Sequence, residues 1–307
     1  MEPIFLYDTT LRDGTQGENI SFSADEKVKI AERLDNLGIH YIEGGWPGSN
    51  PKDIQFFDMA RRVKFKQARL AAFGATRKPG ISPEDDANLK ALLGTHTPVM
   101  TIFGKSWDLH VETVMENTLS ENLVMISESI EYLKSKQKEV IYDAEHFFDG
   151  FKENSDYAYL TISAAIKAGA DLIVFCDTNG GTLPFEVERI IQEIFRRIEK
   201  DRALSTDDLR PKFGIHTHND CGLAVANSIA AIRMGLTMVQ GTINGYGERC
   251  GNADLTSIIP ILSEKMDVPC IPREHLSQLR SLSSYVSETA NLVPLKSRPF
   301  VGKSAFA

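Results

Sequence analysis

The feature that most constrains the fold is a regular alternation of short strand-like runs with longer amphipathic segments. The runs are rich in β-branched and aromatic residues, and we predict strands at residues 4–8, 41–45, 69–74, 99–104, 140–145, 172–177, 212–218 and 238–244. A strand followed by a helix, repeated eight times, indicates a parallel sheet with right-handed crossovers. Eight such units close into a barrel, whereas five or six more often form an open, doubly wound sheet. We therefore predict an α/β fold, a (β/α)8 TIM barrel.

The segments between these runs carry helix signals at their ends. Ser23 and Glu26 form a predicted capping box, and the apolar stripe that follows them stops at Gly38, a residue suited to a helix C-terminus. Ser155 is a predicted cap for a helix that runs to residue 169, and Pro184 suits the first turn of a helix that ends near residue 200. Residues 108–136 form the longest predicted helical segment, and further helices are expected after residues 220, 252 and 272.

Length and composition bound the domain organisation. A chain of 307 residues has room for two average domains, but α/β barrels reach about 250 residues as one unit. The composition shifts near residue 268, and the prolines beyond it flank a single predicted helix. We therefore predict a TIM-barrel catalytic domain over residues 1–268, and a linker with the start of a C-terminal subdomain over residues 269–307.

Charge and cysteine usage exclude several classes of partner. The formal net charge is −8, which does not suit neutralisation of a nucleic-acid backbone. The sequence has no apolar run near the roughly 20 residues of a bilayer span, and its first residues lack the basic region of a secretory signal. The cysteines are scattered, without a Cys-x-x-Cys pair, as is typical of a reducing compartment. We expect a cytoplasmic protein that binds small molecules rather than nucleic acid or membrane.

Polar residues concentrate at the predicted strand ends, where the active site of an α/β barrel lies. His216 and His218 stand two residues apart on the seventh predicted strand, so their side chains point to the same face. Asp13 follows the first strand and Asn252 follows the eighth. Imidazole, carboxylate and amide oxygen together suit Zn²⁺, Mn²⁺, Mg²⁺ or Co²⁺ without selecting one of them. For an isolated His-x-His, the alternative is two histidines satisfied by hydrogen bonds near a loop.

Such an ion, with free coordination positions, suits a 2-oxo acid that binds through a carboxylate oxygen and its keto oxygen. The ion then acts as a Lewis acid on the ketone. Arg12, next to Asp13, is suited to stabilising a developing alkoxide or enolate, and Thr178 is suited to a hydrogen bond with the substrate carboxylate. These residues predict chemistry on a small 2-oxo acid.

Three motifs, in the right order along the chain, indicate a family. Residues 7–16 read Tyr-Asp-Thr-Thr-Leu-Arg-Asp-Gly-Thr-Gln, residues 216–220 read His-Thr-His-Asn-Asp, and residues 247–253 read Gly-Glu-Arg-Cys-Gly-Asn-Ala. They resemble signatures of the metal-dependent acyltransferase and lyase barrels, which include 2-isopropylmalate, homocitrate and citramalate synthases and hydroxymethylglutaryl-CoA lyase. The resemblance covers nearly the whole chain. Residues 42–53 and 102–107 are similar to the citramalate synthase subgroup.

The resemblance implies a site and a reaction. The implied residues are Asp13, His216, His218 and Asn252 as metal ligands, Arg12 and Glu145 as catalytic residues, and Arg12, Gln16, Glu43 and Thr178 as substrate contacts. The implied reaction is a Claisen-type condensation of acetyl-CoA with pyruvate, which gives citramalate and CoA in isoleucine biosynthesis. A divalent metal would be the cofactor, acetyl-CoA the co-substrate, and a homodimer the usual assembly. The native metal and any allosteric effector are left open.

Three alternatives to this reaction stay open. A 2-isopropylmalate or homocitrate synthase would use another 2-oxo acid in place of pyruvate. A lyase of the same family, similar to hydroxymethylglutaryl-CoA lyase, would cleave a carbon–carbon bond instead of forming one. A barrel that holds a metal as part of an assembly would not be an enzyme at all.

The last residues and two polar side chains carry narrower expectations. Residues 298–307 resemble the lead-in to a further family motif, His-x-Gly-Gly-Ile-His, which carries a catalytic histidine. We therefore expect the chain to be truncated, and to bind metal and 2-oxo acid but turn over poorly. Asp8 is expected to be structural rather than a ligand, and Cys250 lacks a paired base that would make it a nucleophile.

Overall fold

The fold is a closed parallel barrel, seen in a computed structural model that describes residues 3–201, 204 and 211–306. Within those residues eight strands join in sequence order, and the first also pairs with the eighth. The strands are β1 (Phe5–Asp8), β2 (Tyr41–Gly45), β3 (Arg69–Ala75), β4 (Val99–Lys105), β5 (Glu139–Glu145), β6 (Leu172–Asp177), β7 (Lys212–Thr217) and β8 (Met238–Gly241). The predicted fold class is confirmed.

Helices surround the barrel and connect its strands. They are α1 (Ala24–Leu37), α2 (Pro51–Ala60), α3 (Ala87–Gly94), α4 (Asp108–Thr113), α5 (Leu119–Ser135), α6 (Phe147–Glu153), α7 (Ser155–Lys167), α8 (Pro184–Lys200), α9 (Ala224–Arg233), α10 (Leu255–Pro260) and α11 (Leu279–Thr289). The capping box of Ser23 and Glu26 is present at the start of α1, and Gly38 ends that helix with a φ of 112°. A left-handed φ of this kind favours glycine because it has no Cβ.

Three predicted boundaries differ from the structure for local reasons. The cap of α7 is Asn154 and not Ser155, because the Asn154 side chain accepts a hydrogen bond from the Tyr157 N–H at 3.1 Å. Residues 108–136 form two helices, since Thr118 caps a new start at α5. The eighth strand ends at Gly241, before a 3-10 turn (Ile243–Gly245) in which Asn244 has a φ of 69°.

The main hydrophobic core lies between the strands and the helices and extends past residue 268. Leu279, Leu282 and Val286 of α11 belong to the same buried cluster as Ile30 and Leu34 of α1. The predicted division into domains at residue 268 therefore falls inside one continuous core, and it stays a prediction. Among the described residues, no helix is long and apolar enough to cross a membrane.

A second, smaller cluster includes Tyr7, Tyr41, Val99 and Ile141, which come from four different strands. The successive residues of a strand face alternate sides, so this cluster fills the inside of the barrel while the main core covers its outside. The filled interior forms the floor on which the loops at the carboxyl ends of the strands are held.

Candidate metal centre

Barrel closure brings three predicted ligands together at the carboxyl ends of β1 and β7. Asp13 begins a 3-10 turn after β1, His216 lies on β7, and His218 follows that strand directly. The Asp13 carboxylate lies 3.3 Å from His216 Nε2 and 4.0 Å from His218 Nε2, and the two imidazole Nε2 atoms are 3.2 Å apart. All three side chains are buried, and their ligand atoms lie within 4.8 Å of one another.

The fourth predicted ligand comes from the loop after β8. Asn252 forms an antiparallel bridge with His218, and the adjacent backbone bonds, Asn219 N–H to Gly251 O at 2.9 Å and Ala253 N–H to Thr217 O at 3.0 Å, fix the loop against β7. The Asn252 amide N–H donates to the Tyr246 carbonyl at 3.1 Å, so its carbonyl oxygen is the end left over.

Two oxygen atoms in this cluster that could bind a cation have no hydrogen-bond partner in the described part of the chain. They are Asp13 Oδ1 and Asn252 Oδ1, both buried; His218 Nδ1 is also unpaired, but this side chain faces the cluster through Nε2. Leaving a buried polar atom unpaired costs about 1–3 kcal/mol, so such atoms are rare unless something else binds them. Two imidazoles with carboxylate and amide oxygens fit a divalent cation. The residues that would bind this cation are Asp13, His216 and His218, with Asn252 beside them.

The electrostatics keep two of the three ligands, Asp13 and His218, in forms that can bind a cation. Burial alone would raise the pKa of Asp13, but the Arg12 guanidinium, 3.6 Å away, and the two imidazoles hold it well below its usual range. Burial, and then His216, lowers the pKa of His218 to about 3. Burial alone would lower the pKa of His216, but the neighbouring Asp13 carboxylate raises it. Metal ligands must be deprotonated, so Asp13 and His218 meet that requirement near neutral pH and a cation would displace the proton of His216.

Arg12 is held rigidly beside the cluster. Its Nε–H donates to Glu43 at 2.7 Å, and its guanidinium lies 3.8 Å above the centre of the Phe73 ring. Glu43 is fully buried and also accepts hydrogen bonds from Tyr7, at 2.6 Å, and from Thr9. The structure thus places Glu43 behind Arg12, where it orients the guanidinium, and not on the cavity wall.

A cavity of about 170 Å³ opens next to these groups. Its lining residues are Arg12, Asp13, Gln16, Trp46, Phe73, Phe103, Asp143, Glu145, Cys176, Thr178, His216, His218 and Glu248. The rings of Trp46, Phe73 and Phe103 pack on one another with centroids 5.5 to 5.7 Å apart, and they form an aromatic wall. The remaining lining is mostly polar, so the cavity suits a small molecule with a charged end and an apolar end.

The other predicted site residues lie around the rim of this cavity. The Glu145 carboxylate is 2.5 Å from the Lys105 ammonium. The Thr178 hydroxyl oxygen accepts a hydrogen bond from the His146 N–H at 2.9 Å, which leaves the hydroxyl hydrogen able to donate to a ligand. Gln16 is exposed at the mouth. Cys250 is exposed, and Asp8 is fully buried and accepts two hydrogen bonds from Thr10.

Sequence reasoning assigned no role to two residues of the site: it did not single out Gln240, and it noted Asp143 only as a polar residue at the end of the fifth strand. Gln240 on β8 is fully buried and contacts both His216 and Asp143. Asp143 ends up inside the cavity, where burial, and then Glu43, raises its pKa to about 7. The available signal was a lone amide in an otherwise apolar strand, because a buried polar side chain needs partners.

Comparison with known proteins gives relatives that match the chain from end to end. An (R)-citramalate synthase of Geobacter sulfurreducens is 55% identical over 307 residues, which is 100% of this chain and 56% of that protein. An (R)-citramalate synthase of Synechocystis is 54% identical over 304 residues, 99% of this chain and 55% of that protein. The chain therefore spans a little over half the length of these relatives.

A solved structure and a family match complete the comparison. The structure of a hydroxymethylglutaryl-CoA lyase from Pseudomonas aeruginosa superposes with a TM-score of 0.78, at 16% identity, over 99% of this chain and 98% of that one. At that identity the similarity supports the fold alone. The HMGL-like family matches residues 3–286. By this match and these identities, the chain belongs to the HMGL-like family.

Proposed function

We propose that this chain is the catalytic barrel of an acyltransferase that condenses acetyl-CoA with pyruvate to give citramalate and CoA. The observation that carries the proposal is the buried cluster of Asp13, His216 and His218 beside a small cavity that Arg12 and Thr178 also line. The relatives above half identity carry the citramalate synthase name, and this favours pyruvate over larger 2-oxo acids. Placement in isoleucine biosynthesis, in the cytoplasm and as a homodimer belongs to the same proposal.

The side chains divide the work of binding. A divalent ion at Asp13, His216 and His218, with Asn252 as a further ligand, would supply Lewis-acid polarisation of the keto group. The Thr178 hydroxyl donates to the substrate carboxylate. Arg12, fixed by Glu43 and the Phe73 ring, directs its guanidinium N–H groups toward the oxygen on which negative charge develops. Because Arg12 is held before substrate arrives, little reorganisation is needed during the reaction.

Proton exchange and the entry of acetyl-CoA take place at the rim of the cavity. The acetyl-CoA methyl group loses a proton, its carbon bonds to the keto carbon, the keto oxygen gains a proton, and water then releases CoA from the thioester. Glu145 is one of the carboxylates that line the cavity, and with Lys105 at 2.5 Å it is placed to hold a proton exchanged with the substrates. Gln16 lies at the exposed mouth, where the acyl group enters.

The aromatic wall supports a small 2-oxo acid. Trp46, Phe73 and Phe103 fill one side of a cavity of about 170 Å³, so the substrate's apolar end has little space. Each additional methylene that must be accommodated changes binding by about 1–3 kcal/mol. Pyruvate, with a single methyl group, fits this arrangement better than 2-oxoisovalerate or 2-oxoglutarate.

The test measures CoA release from acetyl-CoA with pyruvate, 2-oxoisovalerate and 2-oxoglutarate, each with Mg²⁺, Mn²⁺, Zn²⁺ and Co²⁺. We expect the largest kcat/KM with pyruvate. A larger kcat/KM with another 2-oxo acid would contradict the citramalate assignment and leave a related synthase. Cleavage of hydroxymethylglutaryl-CoA would indicate a lyase. Metal-dependent thermal stabilisation with no turnover, even in a chain extended by the His-x-Gly-Gly-Ile-His segment, would indicate a barrel that is not an enzyme. Pyruvate binding to the metal-loaded chain is measured separately by calorimetry.

A further inference from the structure

We propose that Gln240 is a positioning residue for the metal centre. Its side-chain amide, oriented by Asp143, holds His216 in the tautomer that presents an unprotonated Nε2 to the cation. The inference rests on the metal site of the proposed function, but it concerns cation binding and not the choice of substrate.

Gln240 lies between a carboxylate that accepts a hydrogen bond, Asp143, and an imidazole nitrogen that can donate one, His216 Nδ1. On β8 it stands in register with His216 on β7, and its side chain is fully buried inside the barrel. Its Nε2 donates to Asp143 Oδ1 at 3.0 Å, and its Oε1 lies 2.9 Å from His216 Nδ1. Asp143 reaches this point from β5, across the barrel interior.

The two ends of an amide are not interchangeable. The NH₂ end only donates and the carbonyl end only accepts, whereas an ionised carboxylate only accepts. An ionised Asp143 therefore requires the NH₂ end, because the flipped amide would set a carbonyl oxygen against a carboxylate oxygen. The carbonyl end then faces His216, whose Nδ1 must carry the hydrogen in order to donate to it. The free lone pair of His216 is thus at Nε2.

That lone pair points at the cluster. His216 Nε2 is the atom 3.3 Å from the Asp13 carboxylate and 3.2 Å from His218 Nε2. An anchored second nitrogen fixes both the tautomer and the ring orientation of a ligating histidine, and loss of such a partner typically weakens metal binding about 10- to 100-fold. Gln240 supplies this anchor without contributing a charge of its own next to the ligands.

The first experiment removes the anchor and then rebuilds it in reverse. Gln240→Leu deletes both hydrogen bonds at nearly constant volume, and we expect the Kd for Mn²⁺ at pH 8, measured by calorimetry, to rise about 10- to 100-fold. The double variant Gln240→Glu with Asp143→Asn transposes the carboxylate and the amide. Its new glutamate accepts from His216 Nδ1 and from the new asparagine, so we expect a Kd within about threefold of the parent protein.

Two further measurements separate positioning from general stability. Val239→Ala truncates the neighbouring residue, which faces the outer core, and it is expected to lower stability without changing the Kd. Long-range ¹H–¹⁵N NMR of the Zn²⁺-loaded chain at pH 8 shows which nitrogen of His216 carries the hydrogen. We expect Nδ1–H in the parent and in the double variant, and a mixture in Gln240→Leu.

The outcomes decide the proposal whichever variants fold. A Kd in Gln240→Leu within about threefold of the parent, or Nε2–H as the parent's His216 tautomer, overturns it. If Gln240→Leu fails to fold, a folded double variant with a Kd weakened tenfold or more overturns it, and a preserved Kd supports it. A parent protein that binds no Mn²⁺ also overturns it. Gln240-dependent binding without CoA release from any 2-oxo acid leaves it standing and contradicts only the proposed function.

Discussion

The two ends of the barrel differ in whether their polar groups have partners within the protein. At the carboxyl end, Asp13 and Asn252 each keep a buried oxygen atom without a hydrogen-bond partner among the described residues. At the amino end, a cavity of about 800 Å³ has both of its lining carboxylates in ion pairs with lining cations. There Arg69 pairs with Glu139, and Lys134 lies 2.6 Å from Asp171.

This difference separates the part of the molecule that is organised for chemistry from the part that is organised for stability. Buried polar atoms without a partner lower stability, so a protein is expected to keep them only where a ligand binds them. The ion pairs at the other end are partly exposed, so they contribute modestly to folding. In barrels of this fold, residues at the carboxyl ends of strands serve catalysis and those at the amino ends serve stability.

The largest effect is expected from removing a donor at the carboxyl end. Asp13→Ala deletes the carboxylate shared by the cluster, and we expect a loss of Mn²⁺ affinity beyond about 100-fold. Removing a residue that only hydrogen-bonds to a ligand weakens metal binding about 10- to 100-fold, and removing a ligand itself should weaken it more. CoA release with pyruvate should fall at least as far. The matched control is Asp171→Asn at the amino end, which should leave the Kd unchanged. Equal effects of the two substitutions would remove the contrast.

A smaller effect, on specificity, is expected at the aromatic wall. Phe103→Ala opens space beside Trp46 and Phe73, so the ratio of kcat/KM for 2-oxoisovalerate to that for pyruvate should rise about tenfold or more. Phe195→Ala makes the same truncation on α8, outside the barrel, and should leave the ratio unchanged. Steady-state kinetics with both acids gives the ratio, and an unchanged ratio in Phe103→Ala would show that the wall does not select the substrate.

The buried carboxyls at the carboxyl end should also make stability depend on pH. Burial raises the pKa of Asp8 to about 7, although the hydrogen bonds from Thr10 oppose the rise. Burial, and then the charge of Glu43, raises the pKa of Asp143 to about 7 as well. The folded state then binds these protons more tightly than the unfolded state, so the stabilisation is complete at low pH and is lost as pH rises through 7. Between pH 6.5 and 8.5 we expect the free energy of unfolding of the metal-free chain to fall by about 1–2 kcal/mol.

Urea titrations at several pH values measure this fall, with a chelator present throughout. Asp143→Asn and Asp8→Asn should each make the slope shallower by a similar amount, because the two carboxyls have the same pKa of about 7. Two histidines modify this slope: burial, and then His216, lowers the pKa of His218 in the folded state to about 3, so its titration in the unfolded state opposes the fall near the lower end of the window. Burial alone would lower the pKa of His216, but the Asp13 carboxylate raises it, so His216 adds to the fall. Stability that stays level or increases over the window would contradict the assignment of both carboxyls.

The smallest effect is expected from breaking a pair at the amino end. Lys134→Met removes the partner of Asp171, whose side chain is 37% exposed and can be hydrated instead. We expect the free energy of unfolding to change by less than about 1 kcal/mol, and kcat/KM to stay within about twofold of the parent. Chemical denaturation and the CoA-release assay check the two values, and a large loss of activity would show that the two ends are coupled.

Much of the fold was predictable because local signals and the global topology agree. The strand runs, the Ser23 capping box and the Gly38 helix end were each read from neighbouring residues, and the structure reproduces them. The errors were local competitions between caps, as at Asn154 and Thr118, where several side chains can accept the same N–H. The cluster of Asp13, His216 and His218 was predictable because strand ends of a barrel converge on one mouth.

The arrangement around that cluster was not predictable from spacing. Glu43 was expected against the substrate, but it faces Arg12 because Tyr7 and Thr9 hold it below the floor of the cavity. Gln240 and Asp143 are 97 residues apart and meet only across the closed barrel. Such contacts depend on strand tilt and rotamers that neighbouring residues in the chain do not encode.

The sequence by itself determined the succession of eight strand and helix units, and with it which loops carry the polar motifs. Those choices follow from the alternation of apolar residues and from caps and turns, which act over a few residues. Only the tertiary structure decided which polar atoms are paired and which are left for a ligand. Closure of β1 against β8 brings distant strands within hydrogen-bond distance, and at that distance geometry, not residue type, determines which partner each group finds.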